Sequence, residues 1–295
     1  MSAVAPVTAG VARVPLLRDL LELTKPRIVA ASTVAALAGH LAGARDVEPG
    51  LLFATLAGVG SISAAAGILN QVLERDVDAK MPRTANRPLP AGRLRVGTAT
   101  ALGIATAVAS LVLLATRVNA LTTVLAAFAL LSYLFVYTPL KRVTSFNTFV
   151  GAVPGALPPV LGWTGATNHL GQGGLVLFAI LFLWQLPHFL AIAWLYRADY
   201  ARGGLVMLPA HDPDGSLTAR QACVHAATLG VVALAPFALG LAGPVYLLGA
   251  IALGGWYFVA ALRFLRAPAD ASARRLLSAS LVYLPAMLCL IALGK

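Results

Sequence analysis

The sequence predicts an all-α protein that crosses a lipid bilayer many times, and three observations carry that prediction. Hydrophobic residues make up 59% of the 295, whereas charged residues make up only 11%, less than half of the roughly one quarter usual in soluble chains. Apolar runs recur from one end to the other, each near the ~20 residues that span a bilayer as a helix. The turns between them are short, so no soluble domain interrupts the series.

Residues 1–25 form an N-terminal cytoplasmic segment. There Leu16, Leu17, Leu20, Leu21 and Leu23 alternate with Arg18 and Lys25, the pattern of a short helix lying in the membrane interface. Arg13, Arg18 and Asp19 interrupt it, so it lacks the uncharged apolar core of a cleavable leader. Nine spans follow, at about 26–44, 50–72, 97–116, 119–138, 146–166, 174–195, 221–241, 244–264 and 275–293, making 26–295 a single membrane domain. Stretches such as SISAAAGIL supply the small residues that let helices pack closely in lipid. The fifth run, GAVPGALPPVLGW, carries Pro154, Pro158 and Pro159. These free backbone carbonyls that lipid cannot satisfy, so the run is either a kinked helix or a cavity wall. Cys223 and Cys289 both fall in apolar runs, which favours packing over a disulfide or zinc site.

The net charge of +11 is a matter of topology, not a nucleic-acid footprint. With the N-terminus in the cytoplasm, nineteen of the twenty-two Lys and Arg residues fall inside, and only Arg45, Arg117 and Lys295 fall outside. The positive-inside rule then orients the chain N-in and C-out, in a bacterial-type cell membrane.

NQVLERDVDAKMPRTANRPLP, residues 70–90, is the exception to this oily composition. Residues four apart on a helix drift by only about 40°, so Asn70, Glu74 and Asp78 share one face at the end of the second span. Three oxygen donors, two of them carboxylates, suit Mg²⁺ shared with substrate phosphates. Asp76 points elsewhere, towards Arg75 or Lys80. Beyond the acids, Arg83, Arg87, Arg93 and Arg95 punctuate a loop stiffened by Pro82, Pro88 and Pro90; guanidinium forks suit phosphate oxygens. The positive-inside rule accounts for those arginines but not for the acids, which contribute little to topology. Metal-holding acids beside a basic loop predict a diphosphate site in a chamber open to the cytoplasm. A second polar cluster spans 184–209, with Gln185 and His188 inside the sixth span and Arg197, Asp199 and Arg202 after it. There His188 reads equally as a packing residue and as a functional one, and Trp163, Trp184 and Trp194 as chamber lining or interface anchors.

These residues carry a family resemblance. Asn70, Glu74 and Asp78 followed by RDVDAKMPRTANRPLPAG, together with LTKPR (23–27), YTPLKR (137–142), GAVPGALPPVLGW, WQLPHF, YRADYARGG and MLP, resemble the UbiA superfamily of intramembrane prenyltransferases, and within it the branch that farnesylates heme. The likeness covers residues 23 to about 210; the last spans are generic. It departs from many relatives in the second motif, where only Asp199 remains, flanked by Tyr196 and Tyr200, and a second symmetric metal site is in doubt. The resemblance implies a nine-helix bundle that transfers farnesyl from farnesyl diphosphate to a vinyl group of heme B, with Mg²⁺ as cofactor. Asn70, Glu74, Asp78 and Asp199 would serve catalysis, the first three through the metal. Arg75, Lys80, Arg83, Arg87, Lys141 and Arg197 would hold the diphosphate, and His188 is the candidate for heme, as iron ligand or polar contact, because imidazole is a common heme ligand. Implied partners are the bilayer and a downstream heme-modifying enzyme. Two rivals stay open: a relative acting on an aromatic or quinone precursor, separated only by WQLPHF and YRADY, and a transporter, whose charges would lie nearer the bilayer midplane.

Overall fold

The computed structural model describes residues 16–294, which leaves Arg13 and Lys295 outside the described residues. A short helix α1 (Leu16–Thr24) precedes α2 (Pro26–Gly43), α3 (Pro49–Asp78) and α4 (Val96–Arg117). Next, α5 (Ala120–Leu131) runs through a π-helical turn (Ser132–Tyr137) into α6 (Thr138–Leu140). A broken pair, α7 (Asn147–Gly155) and α8 (Leu157–Thr167), leads to the long α9 (Gly171–Leu195) and the short α10 (Arg197–Arg202). A 3₁₀ turn (Leu208–His211), α11 (Ser216–Val232), α12 (Ala235–Ala238), α13 (Pro244–Arg266) and α14 (Asp270–Leu293) complete the bundle.

Seven of these stretches are long and apolar enough to cross a membrane: Pro49–Asp78, Val96–Arg117, Ala120–Leu140, Gly171–Leu195, Ser216–Ala238, Pro244–Arg266 and Asp270–Leu293. The two other expected spans are helical but fall short. α2 has 18 residues and carries Arg27 and His40, and the Pro-rich run divides at Ala156 into α7 and α8. Beside that break Gln185 Nε2 donates to the Ala152 carbonyl at 2.9 Å, which also accepts the Ala156 amide at 3.0 Å, so a buried side-chain amide ties α9 to the end of α7.

Local sequence explains the helix starts. Pro49 opens α3 while the Glu48 carboxylate accepts from the Gly50 and Leu51 amides. Asn119 caps α5, its side chain accepting from the Thr122 amide at 2.8 Å. Before α11, Asp212 takes the Thr218 hydroxyl at 2.6 Å and the Leu217 amide at 3.3 Å. Burial pushes its carboxyl up, but these hydrogen bonds outweigh burial and hold it below the ordinary aspartate value. Of the two cysteines, Cys223 is buried as expected, whereas Cys289 is exposed on α14, a correction to its reading as a packing residue. The helical period turns position 289 away from its buried neighbours Met287 and Leu288.

Two apolar clusters define the halves of the bundle. One joins α2, α3, α4, α5 and α8 around Val59, Ile62 and Leu161. The other joins α9, α11, α13 and α14 around Tyr257, Phe264 and Tyr283. The halves meet where α2 packs on α14 and α8 on α9, over a plug of Ala35, Ala38, Ala156, Leu181, Leu284 and Leu288.

α2 and α8 cross with almost no side chain between them. A Cβ on Gly39 would run into the Pro159 carbonyl, and one on Gly162 into the Ala36 carbonyl, both backbone atoms that cannot swing aside. Gly162→Val is therefore expected to lower stability in detergent by about 3 kcal/mol or more through overpacking, read as a lower denaturation midpoint. Gly97→Val, whose added Cβ meets nothing within 4 Å, should change it little.

Candidate active site

At 30 residues, α3 is roughly 45 Å long, well beyond the ~30 Å hydrocarbon core. Its excess length carries the acids out of the apolar zone while the rest of the helix stays inside. Asn70, Glu74 and Asp78 do line one face, and all three are buried. Asn70 Nδ2 donates to Glu74 Oε2 at 2.9 Å, which ties the face into a ladder.

Three cations converge on that ladder from three other segments. Lys25 Nζ donates to Asn70 Oδ1 at 2.7 Å. Lys141 Nζ meets Glu74 Oε1 at 2.7 Å, and Arg87 Nη1 meets Asp78 Oδ2 at 2.7 Å. The backbone is shaped to deliver them. Lys25 sits at φ 54°, ψ 63°, directly before Pro26. A left-handed non-glycine residue costs roughly 1–3 kcal/mol, and a following proline restricts it further. Lys141 follows the π-helical turn, and Val206 N donates to its carbonyl at 2.7 Å. That turn also aims Thr138, whose hydroxyl donates to the Tyr133 carbonyl at 2.9 Å and accepts from Asn70 Nδ2 at 3.2 Å. Arg87 is placed by the 79–95 loop, where Thr84 donates to the Asp78 carbonyl at 2.8 Å.

The two lysines differ electrostatically. Burial, then the nearby Arg87 and Lys141, pushes the Lys25 amine down to about 7. Burial alone would lower Lys141 too, but Tyr137 and Glu74 outweigh it and hold its amine above the ordinary lysine value. Lys141 also lies 4.6 Å from the centre of the Tyr137 ring. Lys141 is thus the fixed cation of the cluster. Lys25 is a cation whose charge an added anion would favour.

The second polar cluster joins the first through Arg83, whose guanidinium lies 5.0 Å from the Tyr196 ring and 6.0 Å from that of Tyr200. Burial raises the Tyr200 phenol, leaving it a neutral ring beside that cation. Asp199 is paired with Arg202. The remaining expected residues lie elsewhere. Arg197 turns to Asp270 at 2.9 Å and stacks on Trp194 at 4.5 Å, towards the α13–α14 connection. Arg75 bonds its neighbour Asp76 at 3.2 Å on the exposed side of α3, and Lys80 is exposed. Arg93 ties α1 down through Asp19 at 2.9 Å, and Gln71 does so through the Leu23 carbonyl at 2.8 Å.

The structure therefore gathers Asn70, Glu74, Asp78, Arg87 and Lys141, and adds Lys25 and Thr138, which were not expected. For Lys25 the one available signal is a lysine immediately before proline in LTKPR; Thr138 is marked only by its place in YTPLKR, because the π-turn that aims it leaves no local mark. His188 lies apart on α9, its Nδ1 2.6 Å from the Ser280 hydroxyl and its ring stacked on Trp184 at 5.0 Å. A cavity of about 1060 Å³ opens at the opposite end of α2, lined by Arg45, Asp46, Trp163 and His169. It is roughly 25 Å along the helix from Lys25 and has no carboxylate ladder.

The donor set is consistent with Mg²⁺ shared with phosphates. Asn70, Glu74 and Asp78 offer only oxygen, and no group of three or more His, Cys, Asp or Glu converges into a full protein cage among the described residues.

Known proteins match this architecture closely. Residues 30–284 match the UbiA prenyltransferase family. The chain is 44% identical over 289 residues to a protoheme IX farnesyltransferase of Solibacter usitatus, covering 95% of this chain and 99% of that one. It is 46% identical over 277 residues to the protein of that name in Salinibacter ruber, covering 94% and 98%. Among solved structures, a digeranylgeranylglyceryl phosphate synthase superposes with TM-score 0.78 at 16% identity, covering 94% of this chain and 98% of that one. A UbiA homologue from Archaeoglobus fulgidus bound to GPP and Mg²⁺ superposes with TM-score 0.68 at 16% identity, covering 93% and 100%.

The Lys141–Glu74 pair makes a stability test possible. Its side chains are 12% and 10% exposed, so Lys141→Met strands a buried carboxylate and should cost about 3–5 kcal/mol. Lys141→Met combined with Glu74→Leu should recover most of that loss in a denaturant titration in detergent, although both proteins should be inactive. Equal stability of the single and double variants would show that the pair is not coupled.

Proposed function

We propose that this chain, which belongs to the UbiA prenyltransferase family, transfers a farnesyl group from farnesyl diphosphate to a vinyl group of protoheme IX, heme B, to give heme O. It is an integral membrane enzyme, with seven helices among the described residues fit to span a bilayer. The observation that carries the diphosphate half of the reading is the ladder of Asn70, Glu74 and Asp78 faced by Lys25, Lys141 and Arg87. The choice of heme as acceptor is supported by the two relatives named as protoheme IX farnesyltransferases, each at more than 40% identity over nearly its full length.

The chemistry follows from that cluster. Asn70, Glu74 and Asp78 would hold Mg²⁺, which when bound neutralises charge on the leaving diphosphate. As the substrate arrives, Lys141 and Arg87 release carboxylate oxygens, Lys25 releases the Asn70 amide oxygen, and all three donate to phosphate oxygens instead. Arg83 of the α3–α4 loop, held over Tyr196 and Tyr200, closes the site against the second loop, where Asp199 supports Arg202. Arg75, Lys80 and Arg197 contribute positive potential from the periphery. As the allylic C–O bond breaks, these cations stabilise the charge developing on diphosphate. The vinyl π-electrons attack the resulting cation, and water adds to the adjacent carbon with loss of a proton. Heme B, farnesyl diphosphate and water thus yield heme O and diphosphate. Apolar helix walls keep water from the cation until the new carbon–carbon bond forms.

The concentration of Lys and Arg at this end supports placing it, with the N-terminus, on the cytoplasmic side of a bacterial plasma membrane, and the C-terminus outside. Residues 26–295 then act as one catalytic domain, with 1–25 as its interfacial arm, and a heme-modifying enzyme is the natural consumer of the product.

Purified protein given heme B, farnesyl diphosphate and Mg²⁺ should form a porphyrin heavier by one farnesyl group and one water, detected by mass spectrometry. EDTA, Asp78→Asn and Glu74→Gln should each reduce its formation at least about 100-fold while the protein stays folded. Wild-type rates in both variants would refute the metal-site assignment.

A further inference from the structure

A buried polar cluster in the second half of the bundle takes no part in the diphosphate ladder. His188 Nδ1 on α9 lies 2.6 Å from Ser280 Oγ on α14, and that oxygen lies 2.6 Å from the Leu277 carbonyl of its own helix. Ser280 is fully buried. One hydroxyl has one hydrogen to serve two short contacts. If Ser280 donated to Nδ1, its oxygen and the Leu277 oxygen would face each other at 2.6 Å with no hydrogen between them. If it donates to Leu277, its lone pair accepts the Nδ1 hydrogen and both contacts are bonds. His188 is then the Nδ1–H tautomer, with an unshared pair on Nε2.

The surroundings fix the ring as well as the tautomer. His188 stacks on Trp184 with ring centres 5.0 Å apart and planes at 24°. Trp184 Nε1 donates to the Ser280 carbonyl at 2.9 Å, so one serine anchors both rings. Trp184 packs against the apolar plug where α2, α9 and α14 meet. His188 lies one turn from Trp184 towards the charged end, and it is not fully buried. It sits roughly 10 Å from the end of α9 that leads into the polar second loop.

We infer that His188 Nε2 is the axial ligand of the heme iron and that Ser280 is the positioning residue that holds the imidazole in its ligating tautomer. The inference rests on heme being the acceptor. A ligating histidine commonly donates its other N–H to a fixed acceptor, which sets the ring and raises its basicity. Here that acceptor is a hydroxyl on a neighbouring helix, so iron binding and the α9–α14 contact depend on the same residue.

The test is a titration of the full-length protein in detergent with ferric heme B, without farnesyl diphosphate, followed by the Soret band and the charge-transfer region. Wild type should give a histidine-ligated spectrum. His188→Gly should lose it and regain it on addition of free imidazole. Ser280→Ala should bind heme about 10- to 100-fold more weakly, and Ser280→Thr, which keeps the hydroxyl, should restore binding. An unchanged spectrum in His188→Gly overturns the ligand assignment, and wild-type affinity in Ser280→Ala overturns the positioning role. Product formation by the wild type separates this inference from the reading beneath it. Heme O made by a protein whose spectrum ignores His188 overturns the inference alone. No heme O from folded wild type overturns the choice of acceptor as well.

Discussion

Two carboxylates and an amide buried at the end of a lipid-spanning helix are the constraint to which much of this molecule answers. Glu74 and Asp78 cannot remain ionised there without cations held against them, because desolvation of a lone buried charge costs several kcal/mol. Each cation comes from a different part of the chain: Lys25 from the α1–α2 junction, Arg87 from the α3–α4 loop and Lys141 from the end of α6. The ladder thus works as a fastening point as well as a site. Four segments that are distant in sequence stay together through the ion pairs at Glu74 and Asp78 and the Lys25–Asn70 hydrogen bond.

Several local departures from regular backbone serve this arrangement. The left-handed Lys25, the π-turn before Thr138 and the break at Ala156 each depart from a regular helix, and each places or satisfies a polar group. Strain of this sort persists where surrounding contacts over-determine it. At the first site the Lys25–Asn70 contact does so, and at the third the Gln185–Ala152 bond does. The crossing of α2 and α8 through Gly39 and Gly162 brings the pieces of the first half into contact, so a packing feature of the apolar zone sets the geometry of the polar one.

The two halves of the bundle divide the proposed chemistry between them. In this reading the half built on α3 would handle the diphosphate. The half built on α9 and α14 offers His188 and Trp184 above an apolar plug. An amphiphilic pair of substrates suits this division, since each has one end that needs charge and another that needs oil. Arg83, lying against Tyr196 and Tyr200, bridges the two halves where the loops meet.

The sequence by itself determined the helical membrane class, the concentration of charge at one end and the shared face of Asn70, Glu74 and Asp78. All three depend on composition or on the 3.6-residue period, which are local properties. It also marked Arg87 and Lys141 by their basic character, but with no more weight than Arg75, Lys80 or Arg197. Only the tertiary structure separated these. It set Arg87 on Asp78 and Lys141 on Glu74, turned Arg197 to Asp270 and left Arg75 with its neighbour Asp76. It brought in Lys25 from 45 residues away and paired His188 with Ser280 across 92. Periodicity says which side of a helix a residue occupies. Which other helix faces that side depends on packing over the whole chain, and long-range ion pairs and hydrogen bonds leave no local mark.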